Sequence, residues 1–104
     1  YATVVGGVHV TEPAADLPLA LAVVSATTGR HLGEDIVVVG EVGLGGEVRQ
    51  VAGMERRLQE SHRLGFRRAV IPTSAPEPPP GLEVMRVGTL SEAVLATGLM
   101  PPGT

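Results

Sequence analysis

The run Ile36-Val37-Val38-Val39 constrains the fold more than any other feature of the chain. These β-branched residues stand between Glu34-Asp35 and Gly40 with no polar residue at alternate positions. Such a strand has no face to give to water, so it belongs inside a sheet that is covered on both sides. The 104 residues make one domain, and with a single Tyr and a single Phe its core must be built from Val, Leu, Ala, Ile and Met. The apolar share, 43%, is too high for a disordered segment despite 14 Gly and 9 Pro.

Other elements follow from local patterns. Val4-Val5-Gly6-Gly7-Val8-His9-Val10 reads as a strand interrupted by a glycine bulge or bend. A helix is expected from Thr11-Glu12-Pro13 to Thr28, with Thr11 or Asp16 as cap, Pro13 and Pro18 in its first turn, and Gly29 as its stop. Leu17, Leu21 and Val24 mark one side of it and Leu19, Ala22, Val23 and Ala26 the other, which predicts a buried helix. Glu41 to Gln50 reads as a hairpin bent by Gly43, Gly45 and Gly46, whose role is positive φ. Gly53 to Leu64 has a helical period with Met54, Leu58 and Ser61 on the inner face and Gly65 as stop. Arg68 to Pro72 is a strand, Thr73 to Gly81 a proline-rich loop, Leu82 to Val87 a strand, and Thr89 caps a helix to about Ala96. The order β-α-β-(β-hairpin)-α-β-β-α predicts an α/β (α+β) domain with helices covering a mixed sheet, over residues 1–97, and a flexible tail over 98–104.

Composition removes whole classes of chemistry. Without Cys there are no disulfides, thiolate metal sites or cysteine nucleophiles, and an intracellular setting fits. The longest apolar run, Leu17 to Val24, is far short of the roughly 20 residues that span a bilayer. The glycine cluster at residues 40–46 lacks the Gly-Lys-Ser/Thr ending of a phosphate loop and leads into a strand, so it reads as turns. His9, His31 and His62 have no paired ligand spacing. Ser61 and His62 are neighbours pointing about 100° apart, and the Ser25 hydroxyl is expected to bond the carbonyl four residues back. Every basic residue is Arg, so a Ser-Lys dyad is impossible.

Charge is segregated. The chain carries −3 overall, but residues 1–48 carry six carboxylates against Arg30. Residues 49–68 hold Arg49, Arg56, Arg57, Arg63, Arg67 and Arg68 against Glu55 and Glu60, a net +4. One reading is a solvated helix face with local pairs from Glu60 to Arg56 and Arg63. The other is a stripe that contacts phosphates, since the arginine fork suits phosphate oxygens. The scarcity of aromatics leaves no base stacking, so nucleic acid would be held by its backbone without sequence preference.

Several strings in order carry a more specific signal. Val4-Val5-Gly6-Gly7-Val8, Glu12-Pro13-Ala14-Ala15-Asp16-Leu17, Gly40-Glu41-Val42-Gly43-Leu44, Gly46-Glu47-Val48-Arg49, Arg56-Arg57-Leu58 and Leu64-Gly65-Phe66-Arg67-Arg68-Ala69-Val70-Ile71-Pro72 together resemble the C-terminal Lon-like domain of the bacterial RadA (Sms) DNA repair family, from about Tyr1 to Thr97. The resemblance implies a fold like the Lon proteolytic domain and the second domain of ribosomal protein S5. It also places Ala14 where the peptidases carry their nucleophilic serine and Arg57 where they carry their general-base lysine. Alanine has no attacking oxygen, and a guanidinium, which is not deprotonated in proteins, is no base near neutrality. The implied domain is therefore non-catalytic, its catalytic set empty, and it begins partway through the Lon-like unit.

By the same resemblance the full-length protein is a cytoplasmic, DNA-dependent ATPase or helicase in DNA damage repair and recombination. ATP, magnesium and zinc belong to its N-terminal parts, and no cofactor or metal is expected in this chain. The implied partners are DNA, further copies in a hexameric ring, and a RecA recombinase, with no membrane. DNA contacts are expected from Arg56, Arg57 and Arg63, then Arg49, Arg67 and Arg68. Two rivals stay open. One is a purely structural oligomerisation module in which these arginines meet Glu12, Glu34 or Glu41 of a neighbour. The other is a piece of a Lon-type peptidase or of a magnesium-chelatase-like ATPase, for which Asp16-Leu17-Pro18 leaves room.

Overall fold

The computed structural model describes residues 3–5, 7–9 and 15–99, with side chains from residue 16 to residue 99. Its elements are β1 (Thr3–Val5), β2 (Gly7–His9), β3 (Ala15–Asp16), α1 (Leu17–Thr28), β4 (Ile36–Val38), β5 (Glu41–Val42), β6 (Val48–Arg49), α2 (Met54–Arg63), β7 (Arg68–Pro72), β8 (Glu83–Val87) and α3 (Leu90–Ala96).

The α/β class is as expected, and its mixture of pairings is distributed over separate sheets. β4, β7 and β8 form a parallel sheet with β7 in the centre. β3, β5 and β6 form an antiparallel one. The apolar run starting at Ile36 lies against β7, and the pleat sends its side chains alternately to two cores. Val38, Val70 and Val87 join Leu17, Leu21, Ala93, Val94 and Leu99 on one face. Val39, Ala69 and Ile71 join Met54, Leu58, Ala75 and Leu82 on the other. α1 and α3 thus cover one side of the parallel sheet and α2 the other, the layering that an unalternating strand demands.

Parallel strands need a long crossover, and β7 reaches β8 through residues 73–82 without a helix. This loop is rich in proline, which donates no backbone hydrogen bond, and an arginine side chain supplies donors instead. Arg86 Nη1 donates to the carbonyls of Thr73 (3.1 Å) and Ala75 (2.6 Å), and its Nη2 to that of Pro76 (3.3 Å).

Several expectations need correction. The first β-branched run is two strands paired antiparallel, Val4 opposite Val8, which lets the segments satisfy each other's backbone groups. α1 starts at Leu17, because Ala15 and Asp16 pair with Val42 and Glu41 of β5. Only Pro18 lies in its first turn, and Thr11 and Pro13 fall outside the described residues. α1 is also far from buried. Leu17 and Leu21 are fully enclosed, while Ala22 and Ala26 are exposed and Val23 is 44% exposed. α1 packs against α3, β2 and the β3–β5 edge, and the side turned away from them meets solvent. Ser25 Oγ donates forward to the carbonyl of Arg30, and among the described residues the hydroxyls that reach back four residues are those of Thr27, Thr28, Ser61 and Thr97. In the hairpin only Gly46 has positive φ. A Cβ at Gly43 would lie 2.1 Å from Glu47 Oε2, so any larger residue there would push the half-exposed Glu47 carboxylate aside. Leu99, read as tail, is fully buried.

Candidate functional site

The site is organised by α2. Met54, Leu58 and Ser61, spaced at three and four residues, are its buried side chains. That spacing turns Arg56, Gln59 and Arg63 to solvent, as the period requires. The Arg57 side chain runs back over the first turn, where its Nε donates to the Ala52 carbonyl at 3.0 Å. This single bond leaves both terminal nitrogens of the fork available.

Arg57 helps to line an open cavity of about 290 Å³ between α2, the end of β4 and the start of α1. Val37, Val39, Val51 and Phe66 give it apolar walls, and Asp16 faces in from the N-cap of α1. The Asp16 carboxylate makes no cap hydrogen bond, although the Leu19 N–H lies near enough to favour its charge. Partial burial wins and holds its carboxyl above the ordinary 3.8, against the opposing pull of Leu19 and Arg57. Ser61 Oγ is committed to the Arg57 carbonyl at 2.7 Å, with no base beside it. The cavity therefore holds one cation, Arg57, and two carboxylates, Asp16 and Glu60, on largely apolar walls, and among the described residues no nucleophile paired with a base. Ala14, the other position singled out by resemblance, lies outside the described residues.

The remaining arginines divide between the two readings of the basic block. Arg63 is engaged with Glu60 through both Nε (3.0 Å) and Nη2, and Glu60 is held below its usual range chiefly by that bond. Arg56 does not share in the pair. Arg49 lies 3.7 Å from Glu47. Arg68 grips Asp35 with Nε (3.2 Å) and Nη2 (3.1 Å) at the start of β7. Arg67 stands beside it on a polar recess shared with Asp35, Gly81 and Glu83. Among the described residues the side chains of Arg56 and Arg67 make no hydrogen bond or ion pair, so the +4 block contains both structural and uncommitted cations.

Among the described residues no group of three His, Asp or Glu is placed to hold a metal, and no helix is long and apolar enough to cross a membrane. Asp16 is the site residue that sequence reading left out of the chemistry. Its placement depends on β3 pairing with β5, for which a two-residue strand gives no periodic signal.

A family model described as subunit ChlI of Mg-chelatase matches residues 8–75, well over half of the chain. This chain belongs to that family. Its curated relatives carry the name DNA repair protein RadA. The one from Mycobacterium tuberculosis is 45% identical over 94 residues, 90% of this chain and 20% of the relative. That from Escherichia coli K12 is 46% identical over 96 residues, 21% of its length, and that from Haemophilus influenzae 40% over 100 residues, 22% of its length. The resemblance to RadA is thus established, and the chain spans about a fifth of the relatives it matches.

One pair in this ChlI-family chain sets a pH dependence. The hydrogen bonds from Arg68, ahead of its charge, hold the Asp35 carboxyl below the usual 3.8. A depressed carboxyl stabilises the fold above its unfolded pKa and loses that contribution as pH falls through the folded one. Asp35→Asn is therefore expected to lower Tm at pH 7 and to match the parent near pH 2, as thermal melts at both pH values would record.

Proposed function

We propose that this chain is an accessory, non-peptidolytic segment of a RadA-type protein of DNA repair and recombination. In that role it holds duplex or branched DNA by the backbone and packs with further copies into a ring of six. Nucleotide hydrolysis, the bound ATP, magnesium and zinc, and the meeting with a RecA-type recombinase in the cytoplasm belong on this reading to the rest of the protein.

The observation that carries the DNA contact is the set of uncommitted cations in an acidic chain. Arg56 and Arg67 pair with nothing described, and Arg57 uses only its Nε. A planar fork with open N–H groups is suited to phosphate oxygens, and six copies would merge such groups into a belt. The guanidinium at the peptidase base position supports the loss of hydrolysis, because this group is not deprotonated in proteins and cannot serve as a base.

Salt dependence tests the reading. Each phosphate contact contributes a slope of about 0.9 in log K against log salt, so Arg56→Ala with Arg67→Ala is expected to flatten the slope on duplex DNA by about 2. Arg63→Ala, whose fork already holds Glu60, is expected to change it far less. Equal slopes for parent and double variant would remove these contacts. The family match favours a second reading, a segment of a magnesium-chelatase-type ATPase. On that reading neither variant alters the response to salt.

A further inference from the structure

We infer that the cavity between α2, the end of β4 and the start of α1 binds a free apolar amino acid. Asp16 holds its ammonium, the open end of Arg57 holds its carboxylate, and the valines and Phe66 enclose its side chain. The inference stands apart from the DNA reading, whose test rests on Arg56 and Arg67.

Polar groups turned into a cavity are ordinarily satisfied from within the chain, and two of those here are. Ser61 Oγ donates to the Arg57 carbonyl (2.7 Å). Glu60 is gripped by the fork of Arg63. Two groups are left over, and their charges are opposite. Asp16 stands at the N-cap of α1 with no cap hydrogen bond, and among the described residues it makes no ion pair. Arg57 spends its Nε on the Ala52 carbonyl (3.0 Å), which anchors the fork and leaves both terminal nitrogens as donors. The two groups do not pair with each other, although both line the cavity and the Arg57 charge is near enough to pull on the Asp16 carboxyl. An acceptor and a donor fork that share a cavity without meeting suit a ligand carrying a cationic donor and an anionic acceptor on one short frame.

The rest of the lining narrows the class. Val37, Val39, Val51 and Phe66 wall the cavity, whose volume is about 290 Å³. An apolar cavity of about 150 Å³ already holds a benzene molecule, so an isobutyl side chain fits with room for a charged end. A purely anionic ligand is disfavoured, because Glu60 also lines the cavity and Glu41 adds negative charge beside Asp16. A purely cationic ligand would meet Arg57. A zwitterion brings each charge to its partner and adds no net charge to the site. An α-amino acid with an aliphatic side chain, such as leucine, has all three features.

Titration of this chain with leucine to about 50 mM at neutral pH, followed by NMR of the backbone amides, tests the site, and a dissociation constant of about 1–10 mM is expected. The shifts should centre on Val37, Val39, Val51, Arg57 and Phe66. Three analogues are read on the same parent chain, so the result does not depend on a variant folding. Leucinamide lacks the carboxylate, N-acetyl-leucine lacks the ammonium and glycine lacks the side chain, and each is expected to bind at least about fivefold more weakly. The first two also stand for the N-terminal and C-terminal residues of a peptide, and equal binding by either would overturn a free amino acid as the ligand. Leucine shifts confined to other residues, or none at the highest concentration, would overturn the site itself. Asp16→Asn and Arg57→Gln, checked for folding by circular dichroism, should divide the selectivity. The first is expected to erase the preference for leucine over N-acetyl-leucine, and the second the preference over leucinamide. Preferences that survive both substitutions would overturn the assignment of the two charges.

Discussion

Leu58→Ala is expected to destabilise the fold by about 2–5 kcal/mol, enough to lower Tm by more than about 10 °C in a domain of this size. Leu58 is fully buried beneath α2, among Met54, Val39, Ala69, Ile71, Ala75 and Leu82. Two causes add. The removed carbons lose their transfer free energy, and the hole left behind lies between a helix and a sheet that are tied to their own hydrogen bonds and close it only in part. α2 is the one described helix on that face of the parallel sheet, so no second helix shares the strain. The same helix carries Arg56 and Arg57, and on the proposed function the variant loses DNA affinity in step with its unfolded fraction. Leu64→Ala, on the same helix end at 62% exposure, is the control, expected to stay within about 0.5 kcal/mol of the parent. Urea unfolding followed by circular dichroism gives both numbers.

Leu99→Ala is expected to cost a similar 2–5 kcal/mol, although its position near the end of the chain argues for a neutral change. The physical reason is the way α3 stops. Gly98 turns into the left-handed region at φ 75°. Its N–H then donates to the Leu95 carbonyl (3.2 Å) and the Leu99 N–H to the Val94 carbonyl (3.1 Å), a Schellman motif. That motif folds residue 99 back over the helix into the core with Leu17, Leu21 and Val94. Arg30 Nη1 holds the turn from outside by donating to the Gly98 carbonyl at 3.3 Å. Leu95→Ala, half exposed on the same helix, should change stability far less. If Leu99→Ala and Leu95→Ala melt together, the burial of residue 99 is not contributing.

The contrast between these leucines also marks how far the chain could be read without coordinates. α2 has the same ending, Leu64-Gly65-Phe66, and there the glycine at φ 98° was taken as a stop from sequence. Thr97-Gly98-Leu99 carries the same glycine-then-apolar signal at the end of α3, inside the stretch that chain-end position alone marks as a tail. The elements with a strong period or a cap were legible: β7 over Arg68–Pro72, α2 with Met54, Leu58 and Ser61 inward, and α3 capped by Thr89, whose hydroxyl accepts from Glu92 N–H. α1 was not. An apolar residue on its outer side, such as Val23, reads the same in sequence whether a second layer covers it or water does.

Of the candidate site, the residue types were in the sequence and their engagement was not. An arginine at residue 57 supplies no general base, because a guanidinium, unlike the Asp16 and Asp35 carboxyls that the fold shifts, is not deprotonated in proteins. The segregation of charge into an acidic first half and a basic block is equally a matter of order along the chain. Which arginines remain open is different. Arg68 is closed by Asp35, a residue 33 positions away that β4–β7 pairing brings to it, while Arg63 is closed by Glu60 one helical turn back. Only the tertiary structure decided the first and exposed the cavity beside Asp16, because a contact between distant segments is set by how strands register and helices pack, and local spacing carries no record of either.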